Sequence, residues 1–154
     1  MIRTEKRLRL CAVLIAVNLA FIWGNSLLPG EISGAFSDWV REILSRLLPW
    51  GVPGGGGTGM LRKLAHFSEF ALLGMLLRWF WGMKGKGVPP ALLGGFLAAC
   101  ADETIQRFVP DRGPSLRDVG IDTCGVAAGI LLLWLGHTVV KKRTKNNPLE
   151  EMNQ

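Results

Sequence analysis

Asp102, Glu103, Gln106, Arg112, Ser115 and Asp118 follow directly on a run, Val88 to Ala101, that carries no charged residue. Ionisable side chains at membrane depth are costly and face a protein interior or a wet cavity, so this segment is a functional-site candidate by default. Lys63, His66 and Glu69 recur at three-residue spacing in a second apolar segment, and Asp118 and Asp122 at four-residue spacing open a third. Imidazole and carboxylates of this kind can move protons. An arginine can offer a planar fork to a carboxylate or phosphate. A metal site would want further histidine or carboxylate ligands around an open position. Only His66 lies near the acids, because His137 falls about 28 Å along its helix from Asp118, so neither metal nor cofactor is expected. Cys11, Cys100 and Cys124 lie in apolar segments without metal-ligand spacing, and their odd number argues against a closed disulfide set.

The elements that must position these groups are helices in a membrane. Of 154 residues 49% are hydrophobic, with 20 glycines and no tyrosine, and mean hydropathy is +0.28. Leu8–Leu28, Lys63–Trp81, Val88–Phe108 and Val119–Val140 are each about long enough to cross a bilayer. The expected fold is an all-α membrane protein, a four-transmembrane-helix bundle in one domain over residues 1–154. Arg3, Lys6, Arg7 and Arg9 before the first apolar run could mark a signal peptide, but Gly24-Asn25-Ser26 is a weak cleavage site and further spans follow, so the helix is read as an anchor. Lys and Arg flank the runs with a bias that places both termini in the cytoplasm and the protein in the cytoplasmic membrane. The net charge of +6 is dispersed along these flanks and no nucleic-acid motif accompanies it; the oligomeric state is left open.

Between the first two spans, Ile32, Phe36, Trp39, Val40, Ile43, Leu47 and Leu48 recur at helical spacing opposite Asp38, Arg41, Glu42, Ser45 and Arg46. This pattern predicts an amphipathic helix in the outer interface, or one capping the bundle. Pro49 and Pro53 end it and Gly54 to Gly57 form a flexible link. The short Gly82–Gly87 connection makes the second and third helices antiparallel neighbours. Pro89 and Pro90 suit a first helical turn. The tail, about residues 143–154, is expected to be disordered.

At about 1.5 Å per residue, Asp102 and Glu103 lie roughly 20 Å along the third helix, in the outer part of the membrane. Lys63, His66 and Glu69 start the second helix from that side, and Asp118 and Asp122 start the fourth. Within each helix the polar residues share a face: Asp102 with Gln106, Glu103 with Arg107, Asp118 with Asp122. Gly94 and Ala98, and Gly125 and Gly129, are small enough to let the helices approach. An outward-facing polar pocket is the expected result. In the loop after Phe108, Gly113 permits a tight turn and Ser115 can cap the next helix through Asp118. Arg112 can pair with Asp118 or Glu103, or face an external ligand.

In order along the chain, Lys63-x-x-His66-Phe67-x-Glu69-Phe70-x-Leu72-Leu73-Gly74, then Asp102-Glu103-x-x-Gln106-x-Phe108-x-Pro110-x-Arg112-x-x-Ser115-x-x-Asp118-Val119, then Gly125 and Gly129, resemble the VanZ-like membrane protein family. The resemblance covers about Arg62 to Leu132. Two positions depart from the pattern: Phe70 stands where an aromatic hydroxyl is common, and Asp122 where an amide is common. The resemblance implies a small multi-spanning protein of the bacterial cell envelope, with a founding relative linked to resistance to the glycopeptide teicoplanin.

Three functions follow as expectations. The first is a binding or envelope-modifying role, in which Lys63, Arg112, Asp102, Glu103 and Asp118 recognise the polar head of a lipid-linked cell-wall molecule. The alternative is an intramembrane hydrolase, since Asp102-Glu103-x-x-x-Arg107 with His66 resembles the acids and arginine of membrane-embedded CAAX-type proteases. The third is a buried salt-bridge network that only fixes helix register.

Overall fold

The computed structural model describes residues 2–47, 57–113 and 115–145. They form five helices: α1 (Ile2–Ser26), α2 (Gly30–Leu47), α3 (Gly57–Met83), α4 (Pro89–Gln106) and α5 (Leu116–Lys145). No strand occurs among the described residues. Two of the helices, over Arg3–Ser26 and Leu116–Val139, are long and apolar enough to cross a membrane. The charges in α3 and α4 lower their hydropathy, and α4 has only 18 residues, about 27 Å of helix.

Several expected boundaries shift. The second helix begins at Gly57, before Lys63, and continues past Trp81 to Met83. The third stops at Gln106, short of Phe108. Helix α5 runs to Lys145, so residues 143–145 of the expected disordered tail are helical; residues 146–154 lie outside the described residues, as do Pro49, Pro53 and Gly54 to Gly56. Pro89 and Pro90 occupy the first positions of α4, where a missing N–H costs nothing.

Helices α3 and α5 make the closest crossing, and glycine is the reason. A Cβ on Gly129 would overlap the Ala71 carbonyl, one on Gly74 the Val126 carbonyl, and one on Gly125 would come within 2.5 Å of the Phe67 oxygen. These backbones touch where a side chain would hold them apart. On α4 the tight contact falls at Gly95, against the Val126 side chain, while Gly94 has ordinary spacing from Leu77. The close approach is thus one residue further along than expected.

Apolar packing is confined to a small core of Ile22, Phe70, Leu73, Ala99, Val126 and neighbours. Elsewhere the usual arrangement is inverted. Leu10, Val13, Val17 and Phe21 on α1, Leu93 and Leu97 on α4, and Leu132 and Trp134 on α5 point outward and exposed, whereas Asn18, Ser26, Asp102, Glu103, Gln106 and Asp122 are buried. Apolar outside and polar inside is stable when the surroundings are hydrocarbon.

The turn between α4 and α5 holds its shape through Asp111, whose φ of 59° is left-handed; Gly113, the expected turn-former, is not in that region. Aspartate tolerates this conformation better than most residues. The loop docks on α2, with the Gly30 N–H donating to the Pro110 carbonyl at 3.4 Å. A Cβ on Gly30 would stand 2.7 Å from the Asp111 oxygen.

Candidate functional site

The glycine crossing of α3 and α5 determines where the polar groups meet. Phe67, next to His66, touches Gly125, which lies one turn below Asp122. His66 and Asp122 are therefore brought to the same level, and Asp102 arrives there from α4. The ligand-capable atoms of His66, Asp102 and Asp122 lie within 4.8 Å of one another.

Around this trio the side chains form a partly satisfied network. The Gln106 amide donates to Asp102 Oδ2 at 2.7 Å and to Ser26 Oγ at 3.3 Å. Asn25 Nδ2 donates to Glu69 Oε1 at 3.1 Å. Lys63 Nζ stands 3.5 Å from Asp118 Oδ1, a charge pair beyond good hydrogen-bond length. His66 Nδ1 is 3.9 Å from Asp102 Oδ2, again too far for a hydrogen bond. Glu69 Oε2, Asp102 Oδ1, His66 Nδ1 and both Nε and Nη1 of Arg112 are buried without a hydrogen-bond partner among the described residues.

Glu103 and Ser115 hold the entrance of α5. The Ser115 N–H donates to Glu103 Oε2 at 2.7 Å, and Ser115 Oγ accepts from the Asp118 N–H at 3.3 Å, capping the helix. Ser115→Ala keeps the first bond and loses the second. Its expected cost is about 1 kcal/mol of unfolding free energy, measured by denaturation in detergent micelles.

Arg112 takes neither expected partner. Its Nη2 donates to the Asn25 backbone carbonyl at 3.3 Å, because the loop folds over the end of α1 and not over α5. Burial, with the neighbouring Arg62 charge adding to it, pushes its guanidinium below the usual arginine range. Arg107 is exposed at the end of α4, although Glu103 one turn earlier is buried. The expected pairing of Glu103 with Arg107 on one polar face is absent.

A small cavity of about 20 Å³ opens between α3, α4 and α5, lined by Lys63, His66, Glu103, Gln106, Asp118 and Asp122, with Arg62 and Ile121 beside them. That is room for about one water molecule or ion. Glu69, Asp102 and Arg112 are in the surrounding network but do not line the cavity. Asn25 and Ser26 went unrecognised as part of this layer. Their signal was their place, as polar residues closing the first apolar run at the depth of the acids. Arg62 was detectable only as the neighbour of Lys63.

A family model described as VanZ/LLP1 matches residues 8–137. The chain belongs to the VanZ-like family. No curated protein and no solved structure matches it. With its two apolar spans, this VanZ-like chain is a membrane protein. The match extends well outside the Arg62–Leu132 motifs and takes in α1, whose Asn25 and Ser26 complete the polar layer. Helix α1 is thus an integral part of the VanZ-like unit.

Proposed function

We propose that this VanZ-like protein binds a polar group of a cell-envelope molecule at the polar layer formed by Arg112 and the ends of α1, α3, α4 and α5, of which the small cavity is one part. The observation that carries this reading is the unpaired state of its buried network, above all Arg112 Nε and Nη1. Nearly all buried polar groups find partners, and a network kept only to fix helix register would pair its own members. Two free donors of a planar guanidinium suit a carboxylate or phosphate oxygen.

In this reading α1, α3, α4 and α5 are four spans, α2 lies in the outer interface, and both termini are cytoplasmic. Exposed Ile32, Trp39 and Ile43 on α2 support an interfacial position. The occupant is the head group of a lipid-linked cell-wall molecule, and glycopeptide resistance is the phenotype to examine. The hydrolase alternative loses support from Arg107, which is exposed at the end of α4.

The test is mass spectrometry of lipids that co-purify with the protein in nanodiscs. Wild type is expected to retain one lipid class at near-stoichiometric amounts, and folded Arg112→Gln to lose it. Equal lipid content in the two proteins would refute the reading.

A further inference from the structure

We infer that His66, Asp102 and Asp122 form a binding site for one divalent first-row transition-metal ion of the zinc or manganese class. The sequence pattern argued against such a site because it showed a lone histidine. The fold supplies what spacing could not, since one nitrogen and two carboxylates come from three different helices, with their ligand atoms within 4.8 Å of one another.

The gap between His66 Nδ1 and Asp102 Oδ2 points to an ion. At 3.9 Å it is too long for a hydrogen bond. Two ligands held tetrahedrally on a common ion at about 2.1 Å each stand roughly 3.4 Å apart, so a closure of about half an ångström brings this pair to an ion. The whole set, within 4.8 Å, needs a closure of about an ångström to share one ion.

An independent observation points the same way. Asp102 is fully buried, and its Oδ1 has no hydrogen-bond partner among the described residues, nor has the buried Nδ1 of His66. Both need a partner. Oxygen ligands are also in excess: the carboxyl groups of Glu69, Asp102, Glu103, Asp118 and Asp122 outnumber Arg62, Lys63 and Arg112 in this layer, and Lys63 stands beside Asp118. A divalent cation would hold the carboxylates it binds in their charged form.

The donor set selects among ions. Imidazole favours zinc, iron, nickel and copper, whereas carboxylates also suit manganese, magnesium and calcium. One nitrogen with two oxygens fits zinc or manganese better than magnesium, which dehydrates reluctantly and is held through carboxylates and water. Three protein ligands leave a coordination position open. Since His66 and Asp122 line the cavity and Asp102 lies behind them, that position faces the cavity. The metal site stands on its own geometry; only its service to an envelope ligand rests on the function proposed above.

The experiment uses full-length protein in detergent, stripped with chelator and titrated with ZnCl2, MnCl2 or MgCl2 by calorimetry, with elemental analysis for stoichiometry. One zinc or manganese per chain is expected, with magnesium binding more weakly. His66→Gln and Asp122→Asn are expected to weaken binding by roughly 100-fold or more, since changes even to the groups behind a ligand cost 10–100-fold. His137→Gln, at the far exposed end of α5, is expected to bind as wild type. Cobalt absorption provides a second readout, with visible bands that change in His66→Gln. No binding by folded wild type, or binding unchanged in both site variants, overturns the proposal. Because lipid retention is measured separately, a protein that keeps its lipid but takes no metal refutes the ion site and leaves the pocket reading standing.

Discussion

Gly129→Ala is expected to remove most of the folded protein, while Gly136→Ala, on the same helix two turns further, leaves it intact or slightly more stable. The first adds a methyl group into the Ala71 backbone carbonyl, and the second into open space. A backbone atom cannot rotate away, so α3 and α5 must separate along their closest contact. Overpacking of this kind costs about 3 kcal/mol or more, a large part of the roughly 5–15 kcal/mol that holds a domain together. At Gly136 only the propensity gain of alanine over glycine remains, about 1 kcal/mol in soluble helices. Gly74→Ala is expected to resemble Gly129→Ala, because its Cβ meets the Val126 backbone. Gly95→Ala meets only the Val126 side chain and should be milder. Size-exclusion profiles and thermal unfolding in detergent give the ranking. Equal behaviour of Gly129→Ala and Gly136→Ala would refute the backbone-contact account.

Asp102→Asn is expected to leave the bundle folded and to empty its site. Asparagine keeps the shape and can still accept from Gln106 through its side-chain oxygen, so the bond to Gln106 and the bridge to Ser26 survive. Stability should stay within about 1 kcal/mol of wild type. What disappears is a fully buried carboxyl group, one of the three ligands of the ion site inferred above. A neutral amide is a poorer metal ligand than a carboxylate, so zinc or manganese affinity is expected to fall roughly 10–100-fold. Metal titration by calorimetry beside thermal unfolding of each form in detergent are the measurements. Unfolding of both Asp102→Asn and Arg112→Gln would mean that the layer serves helix register alone.

These two results separate what is written locally from what is not. The apolar runs, the prolines that begin α4 and the serine that caps α5 are short-range features, and each was legible because its physics acts within a turn or two of helix. The polar stripe of Lys63, His66 and Glu69 was legible for the same reason. Partnerships were not. Arg112 carries no local mark that sends it to the Asn25 carbonyl instead of Glu103 or Asp118, and Lys63 none that sends it to Asp118. The left-handed residue of the loop is Asp111 and not Gly113, because glycine is only the cheapest occupant of that conformation and tertiary contact with Gly30 of α2 falls at Asp111.

By itself the sequence determined that this chain is helical, that it is built for a membrane, that it belongs with the VanZ-like proteins, and which helices carry ionisable groups. Periodicity and hydropathy encode these properties residue by residue. Only the tertiary structure decided that Asn25 and Ser26 of α1 close the site, that Arg107 lies outside it, and that His66 meets Asp102 and Asp122. Those relations depend on the distance and rotation between helices. Here the backbone contacts at Gly74, Gly125 and Gly129 set that geometry, and no single helix contains it.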